Sequence, residues 1–277
     1  MTGIVRNKEE LPLVTADELL SLGAALRACN LEIYTDQVLE ILPFLTSEER
    51  FLLIDLVGRF SVCEFADYYS RGMNLSLQLV ASLNENVKHV ILLPLINPIG
   101  QVKPKSGEGI AWLMSREMEA KVKSSGRTFE MSSRTIRTAV LKRAEVTAFI
   151  LVDDFVGSGA TAENAIDWLS SQGVSPKNIV VGCFLGLESG VDKIVAKGAS
   201  AVFLGTLGRG ISDAAHISDK QAALQLMAGV EEKNGVVEKF RFGYRGGEAL
   251  ALMCFCPNNT FPIFWWDGPA WNGPFSR

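Results

Sequence analysis

Four short apolar runs limit what this chain can fold into more than any other feature. They are residues 89–96 (HVILLPLI), 149–152 (FILV), 179–185 (IVVGCFL) and 201–204 (AVFL). Each is rich in branched side chains and too short for a typical buried helix. Helix-like stretches lie between them, at 109–120, 161–172 and 191–197. A strand apolar on both faces must be covered on both, and parallel neighbours need a crossover, usually a helix. The pattern predicts an α/β fold, a parallel sheet flanked by helices.

Residues 1–86 read as a helical region ahead of that core. Thr15 with Glu18, and Thr46 with Glu49, have capping-box spacing, and residues 64–83 suggest one more helix weakened at Gly72. The α/β core is expected over 87–239. A tail over 240–277 has another character, with Phe261, Phe264, Trp265, Trp266 and Trp271 among repeated prolines. There is no internal repeat. The 277 residues, 48% of them apolar, suffice for a sizeable core, in roughly one or two domains.

Net charge is −4 with no basic run, so a nucleic-acid surface is not indicated. Five cysteines without paired CxxC spacing, and two histidines, argue against structural zinc and for reduced thiols used as small apolar residues. No apolar run approaches the roughly 20 residues that span a bilayer. The opening MTGIVRNKEE lacks an apolar signal core. A soluble cytoplasmic protein is expected.

The chemistry concentrates in TAFILVDDFVGSGATAENAIDWL. An apolar strand ends in Asp153 and Asp154. A loop of small residues follows, Gly157, Ser158, Gly159, Ala160 and Thr161, and then a helix. Small residues let backbone N–H groups approach an anion, and the helix N-terminus adds unpaired donors and partial positive charge. The Ser158 and Thr161 hydroxyls add donors. Two carboxylates beside a phosphate suit hydroxyl groups or a metal ion. Together they describe a sugar phosphate such as ribose 5-phosphate. Adjacent acids after a buried strand are costly unless they serve a purpose.

Residues 152–161 resemble the phosphoribosyl pyrophosphate motif of type I phosphoribosyltransferases. There, four apolar residues precede two acids, two further residues and a Thr/Ser/Gly-rich loop. Gly157 stands where the family often has Thr. The resemblance covers roughly residues 87–215 by strand and helix order. It implies that Asp153 and Asp154 contact the ribose hydroxyls and hold Mg2+, and that residues 157–161 bind the 5-phosphate. It implies a pyrophosphate loop after the first core strand, where Lys103, Lys105, Ser106 and Gly107 fit. A loop closing over the site is expected at 124–137, and base-adjacent contacts at Thr206 and Arg209. The tail would form a hood over the base. Its stretch PNNTFPIFWW, residues 257–266, resembles phosphoribosyltransferase-like proteins of bacterial conflict systems, some beside reverse transcriptases, which implies an effector role in phage defence.

The implied activity is phosphoribosyl transfer between phosphoribosyl pyrophosphate, with Mg2+, and a nitrogenous base or other acceptor. A nucleotide-sensing module of the same fold would carry the same motif. A third reading is an S-adenosylmethionine-dependent amino-methyltransferase, since DDFVGSGAT also resembles the D-P-F-x-G-S-G-T-T loop of those enzymes. Asp154 in place of proline, and the lack of an Asn/Asp-Pro-Pro-Tyr/Phe stretch, count against it. Expected partners are phosphoribosyl pyrophosphate or a nucleotide, a protein docked on the N-terminal helices, and a second copy in a homodimer. Lys103 and Lys105 also fit a solvated loop, Arg209 fits surface, and the tail aromatics fit an ordinary core.

Overall fold

The computed structural model describes residues 13–97, 105–132 and 141–277. In chain order the elements are α1 (Ala16–Ala28), α2 (Thr35–Leu39), α3 (Ser47–Val57), β1 (Ser61–Val62), α4 (Tyr68–Ala81), β2 (His89–Pro94), α5 (Ser106–Ser124), β3 (Thr128–Met131) and β4 (Thr147–Val156). There follow α6 (Ala160–Ser171), β5 (Ile179–Leu187), α7 (Glu188–Ala196), β6 (Ser200–Phe203), β7 (Thr206–Leu207), α8 (Lys220–Lys233) and β8 (Ala251–Leu252). The chain forms two compact units, Cys63–Gly208 and Met1–Val62 with Arg209–Arg277.

The Cys63–Gly208 unit is the expected α/β layer structure. Its sheet runs β3-β2-β4-β5-β6, with β7 on β5, and every pairing is parallel. Side chains alternate across each strand. Ile91, Leu93, Phe149, Leu151, Ile179 and Val181 pack with Ala162, Ala165, Ile166 and Leu169 of α6 and Ile194 of α7. Helices α4 and α5 pack against β5, and against β2 and β4, respectively. All four apolar runs are strands, and the three helix-like stretches are α5, α6 and α7.

The order of this sheet has a functional consequence. From β2 the chain crosses to β3 on one side, whereas β4, β5 and β6 build outward on the other. The direction of winding therefore reverses between β2 and β4. In open parallel sheets, ligands occupy the crevice at the carboxyl ends of strands at such a point.

The unit boundaries differ from the expected 1–86, 87–239 and 240–277. Helix α4, expected in the N-terminal region, covers the sheet. Gly182 on β5 explains this, because a Cβ there would lie 2.9 Å from Leu79 Cδ1, so the leucine fills the space the glycine leaves. The closing loop expected at 124–137 also differs. Ser124 ends α5 and Thr128–Met131 is an edge strand paired with β2; residues 133–137 lie outside the described residues.

In the other unit the N-terminal helices and the tail share one core. Leu22, Leu26, Leu53 and Leu56 pack with Phe261, Phe264, Trp265, Trp271 and Phe275. The rings meet edge-on or tilted: Phe60 with Phe264 at 4.7 Å, Tyr34 with Phe275 at 4.8 Å, Phe44 with Trp271 at 5.8 Å. Strands β1 and β8 pair in parallel. The expected hood aromatics are thus largely core side chains of their own unit. Both capping boxes form, Thr15 with Glu18 and Thr46 with Glu49.

Glu231 on α8 is fully buried, and both its oxygens accept from the Phe242 N–H at 3.0 Å. Burial pushes its carboxyl from the ordinary 4.5 up to about 8. The folded unit therefore holds this proton more tightly than the unfolded chain. The resulting stability is complete below pH 4.5 and is lost as pH rises through about 8. Glu231→Gln keeps an acceptor for Phe242 without the charge. Thermal melts should show the variant gaining several degrees over wild type at pH 8 and little at pH 5. Parallel melting curves at both values would refute this.

Candidate functional site

Strand β4 delivers Asp153 and Asp154 to the carboxyl edge of the sheet, beside the reversal point. Asp153 keeps part of its surface open, whereas Asp154 is 7% exposed. The Ser106 hydroxyl donates to Asp153 Oδ1 at 2.7 Å, and the Asp154 N–H donates to the same oxygen at 2.9 Å. The Tyr68 hydroxyl donates to Asp154 Oδ2 at 2.8 Å, with its ring edge-on to Phe184. Protein packed around Asp153 pushes its carboxyl well above the usual carboxylate range, and the adjacent Asp154 charge adds to this despite the Ser106 hydrogen bond. Two acids that repel one another at a sheet edge are relieved by a cation or by hydroxyl donors. The structure thus keeps the pair together and gives each acid a hydroxyl.

Helix α5 brings its N-terminus to the same edge. Gly107 is required there, because a Cβ would stand 2.9 Å from the Val152 carbonyl and 3.1 Å from Leu95 N. Of the expected pyrophosphate loop, Ser106 and Gly107 therefore adjoin the acids. Lys105 is exposed ahead of them, its N–H donating to Glu108 Oε2 at 3.1 Å. Lys103 lies outside the described residues.

Beyond β4 the loop turns at Gly157, Ser158 and Gly159 into α6. Gly159 is the N-cap, in the left-handed region at φ 75°, which a residue with a side chain rarely adopts. Among the described residues no acceptor takes the N–H groups of Ser158, Gly159, Ala160 or Thr161. Gly157 and Gly159 are buried, Ser158 and Ala160 half-buried, and Thr161 exposed. Unpaired N–H groups at a helix start are the backbone chemistry that accepts a phosphate.

Thr206 and Arg209 fall in different units. Thr206 begins β7, opposite Gly186 of β5. Arg209 belongs to the other unit and is bound to Asp213, Nη2 to Oδ1 at 2.9 Å and Nε to Oδ2 at 3.2 Å. Among the described residues no cluster of three or more His, Cys, Asp or Glu could hold a metal. A Mg2+ ion that keeps waters and binds through one or two carboxylates and substrate phosphates needs no such cluster. The partly open Asp153 with Asp154 fits that mode.

Three residues near this edge had no signal in the sequence. Tyr68 stands 86 positions from its acid. Gly190 and Lys193, on α7, adjoin the loop. A Cβ on Gly190 would fall 2.3 Å from the Gly157 carbonyl oxygen, and Lys193 Nζ donates to the Ser158 carbonyl at 2.8 Å.

A parallel α/β unit with an acid pair and a small-residue loop at its reversal point defines a phosphoribosyltransferase-type protein. Residues 47–277 match the family model PRTase-CE, and the chain belongs to that family. The match extends across both units, well beyond the 87–215 of the motif resemblance. Membership displaces the amino-methyltransferase reading. No curated protein matches the chain.

Solved structures show distant likenesses. Hypoxanthine-guanine phosphoribosyltransferase from Schistosoma mansoni, in complex with IMP, is 15% identical over 56% of this chain and 73% of its own, with a TM-score of 0.34. The Giardia lamblia APRTase complexed with 9-deazaadenine is 13% identical over 51% and 84%, at 0.33. A hypothetical protein from Neisseria gonorrhoeae with bound ppGpp is 12% identical over 60% and 95%, at 0.36. Among the described residues no helix is long and apolar enough to cross a membrane.

Proposed function

We propose that the chain binds phosphoribosyl pyrophosphate with Mg2+ and transfers the phosphoribosyl group to, or from, a nitrogenous base or other acceptor. The observation that supports this is the convergence of Asp153, the N-terminus of α5 and the 157–161 loop at the carboxyl edge of β2 and β4. Asp153 and Asp154 accept from the ribose hydroxyls, and the loop N–H groups with Ser158 and Thr161 take the 5-phosphate. The α5 start, with Lys105, Ser106 and Gly107, faces the diphosphate. In transfer, the anomeric carbon–oxygen bond breaks with its electrons going to the diphosphate. The acceptor nitrogen bonds to that carbon and releases its proton. The work of the protein is placement and charge stabilisation. Mg2+, held at Asp153 and Asp154, would neutralise charge on the departing diphosphate.

The resemblance of residues 257–266 to conflict-system proteins extends the proposal to a phage-defence effector, with a protein partner on the N-terminal helices and a cytoplasmic setting. Thr206 and Arg209 are proposed as base-adjacent contacts, Arg209 after release from Asp213.

Isothermal titration with phosphoribosyl pyrophosphate and Mg2+ should give saturable binding. Asp153→Asn with Asp154→Asn should weaken it at least tenfold, about 1.4 kcal/mol. Equal binding by that variant, or none by wild type, refutes the reading. Labelled phosphoribosyl pyrophosphate with mixed bases then separates transfer from sensing, since tight binding without turnover identifies the nucleotide-sensing module.

A further inference from the structure

We infer that Lys193 is a positioning residue of the anion loop, a cation on the neighbouring helix that sets the loop backbone for a phosphate. The inference rests on the proposed sugar-phosphate reading of that loop. Lys193 sits in the last turn of α7, half-buried. Its Nζ donates to the Ser158 carbonyl at 2.8 Å. Among the described residues it makes no ion pair, unlike Lys197 one turn on, which is bound to Asp167 at 2.7 Å. The one bond observed for this ammonium thus goes to a carbonyl of the loop.

The geometry gives that bond a role. Consecutive N–H groups converge on an anion only when the intervening carbonyls point elsewhere. Lys193 takes the Ser158 carbonyl, in the middle of the loop, and leaves the Ser158 and Gly159 N–H groups without protein acceptors. Helix α7 also abuts the loop closely. A Cβ on Gly159 would meet Gly190 Cα at 3.2 Å and Lys193 Cβ at 3.3 Å, and one on Gly190 would meet the Gly157 carbonyl. The loop therefore rests on α7 at three consecutive residues, 157–159, and Lys193 is the charged member of that contact. Its uncompensated charge also favours an anion over a neutral guest.

The experiment titrates wild type, Lys193→Met, Lys193→Gln and Lys193→Arg with inorganic phosphate and with ribose 5-phosphate, following the 157–161 amide resonances. Lys193→Met should weaken ribose 5-phosphate about tenfold or more and move those amides before ligand is added. Lys193→Arg should restore affinity. Lys193→Gln, which keeps a donor without charge, should recover the amide positions but not the dependence of affinity on salt concentration. If Lys193→Met fails to fold, the Gln and Arg variants decide. Equal affinity and salt dependence in all foldable variants overturns the inference. Failure of wild type to bind either phosphate overturns it together with the functional reading. Binding of both phosphates with no use of phosphoribosyl pyrophosphate overturns only the transfer reading.

Discussion

Gly190→Val is expected to cost on the order of 100-fold in affinity for phosphoribosyl pyrophosphate while leaving the sheet intact, because loop N–H groups turned away lose hydrogen bonds to a charged phosphate, worth about 1.5–3 kcal/mol each. A Cβ at this position alone would fall 2.3 Å from the Gly157 carbonyl oxygen and 3.1 Å from Val156 Cγ1. Valine adds two methyl groups to that conflict. Gly159 faces the same helix, where a Cβ would stand 3.2 Å from Gly190 Cα, so the added methyl groups press on the loop at two of its residues. The N–H groups that would receive the phosphate must therefore turn. Overpacking of this kind costs about 1–3 kcal/mol, a modest loss for a unit whose core is otherwise untouched. Gly109→Ala on α5 is the control: nothing lies within 4 Å of its Cβ, so binding should persist and stability should hold or rise. Titration calorimetry paired with thermal melts separates the two effects. Wild-type affinity in folded Gly190→Val would show that the loop does not hold the ligand.

Arg50→Ala should lower the stability of the unit that contains α1 and α3 by about 3–5 kcal/mol, the range for removing one partner of a buried ion pair. Arg50 is completely buried, and its Nη1 lies 3.3 Å from Glu18 Oε2, itself 2% exposed. The guanidinium also donates to the Leu42 carbonyl at 3.0 Å and the Leu13 carbonyl at 3.1 Å. Removing it takes this donor from the Leu13 carbonyl, leaves the Leu42 carbonyl with the Leu45 N–H at 3.1 Å, and strands the Glu18 carboxylate in the interior. That carboxylate is held below its ordinary range first by the Thr15 N–H, with Arg50 adding to the effect. Urea denaturation measures the loss. The double variant Glu18→Gln with Arg50→Met should recover a large part of it, because no charge is then buried and the new side-chain amide can still accept from Thr15. A single variant as stable as wild type, or a double variant as weak as the single, would contradict this account.

Much of the functional unit was legible in the chain. The branched apolar runs at 91–93, 149–151 and 179–181 had to be strands covered on both faces, and the small residues after Asp154 had to form a turn into a helix. Both follow from local chemistry, since period, branching and glycine act within a few residues. Ser106 and Gly107 were identified through family resemblance rather than local physics, and the structure sets them beside Asp153. The unit boundaries were not legible. Helix α4 precedes the first core strand in the chain, and its packing on β5, with Leu79 over the hollow at Gly182, shows which unit it joins.

By itself the sequence determined the apolar strand that carries the two acids (though the strand runs on to Val156), the small-residue loop and the helix start that follows, because these depend on φ freedom, side-chain size and unpaired N–H groups close along the chain. Tertiary structure alone decided that the winding reverses between β2 and β4, that Tyr68 and Ser106 supply hydroxyls to the acids, and that Lys193 and Gly190 support the loop. The tail aromatics likewise found their core only through packing against helices more than 200 positions earlier. Such contacts join residues far apart in the chain, and local propensity has no term that selects among them.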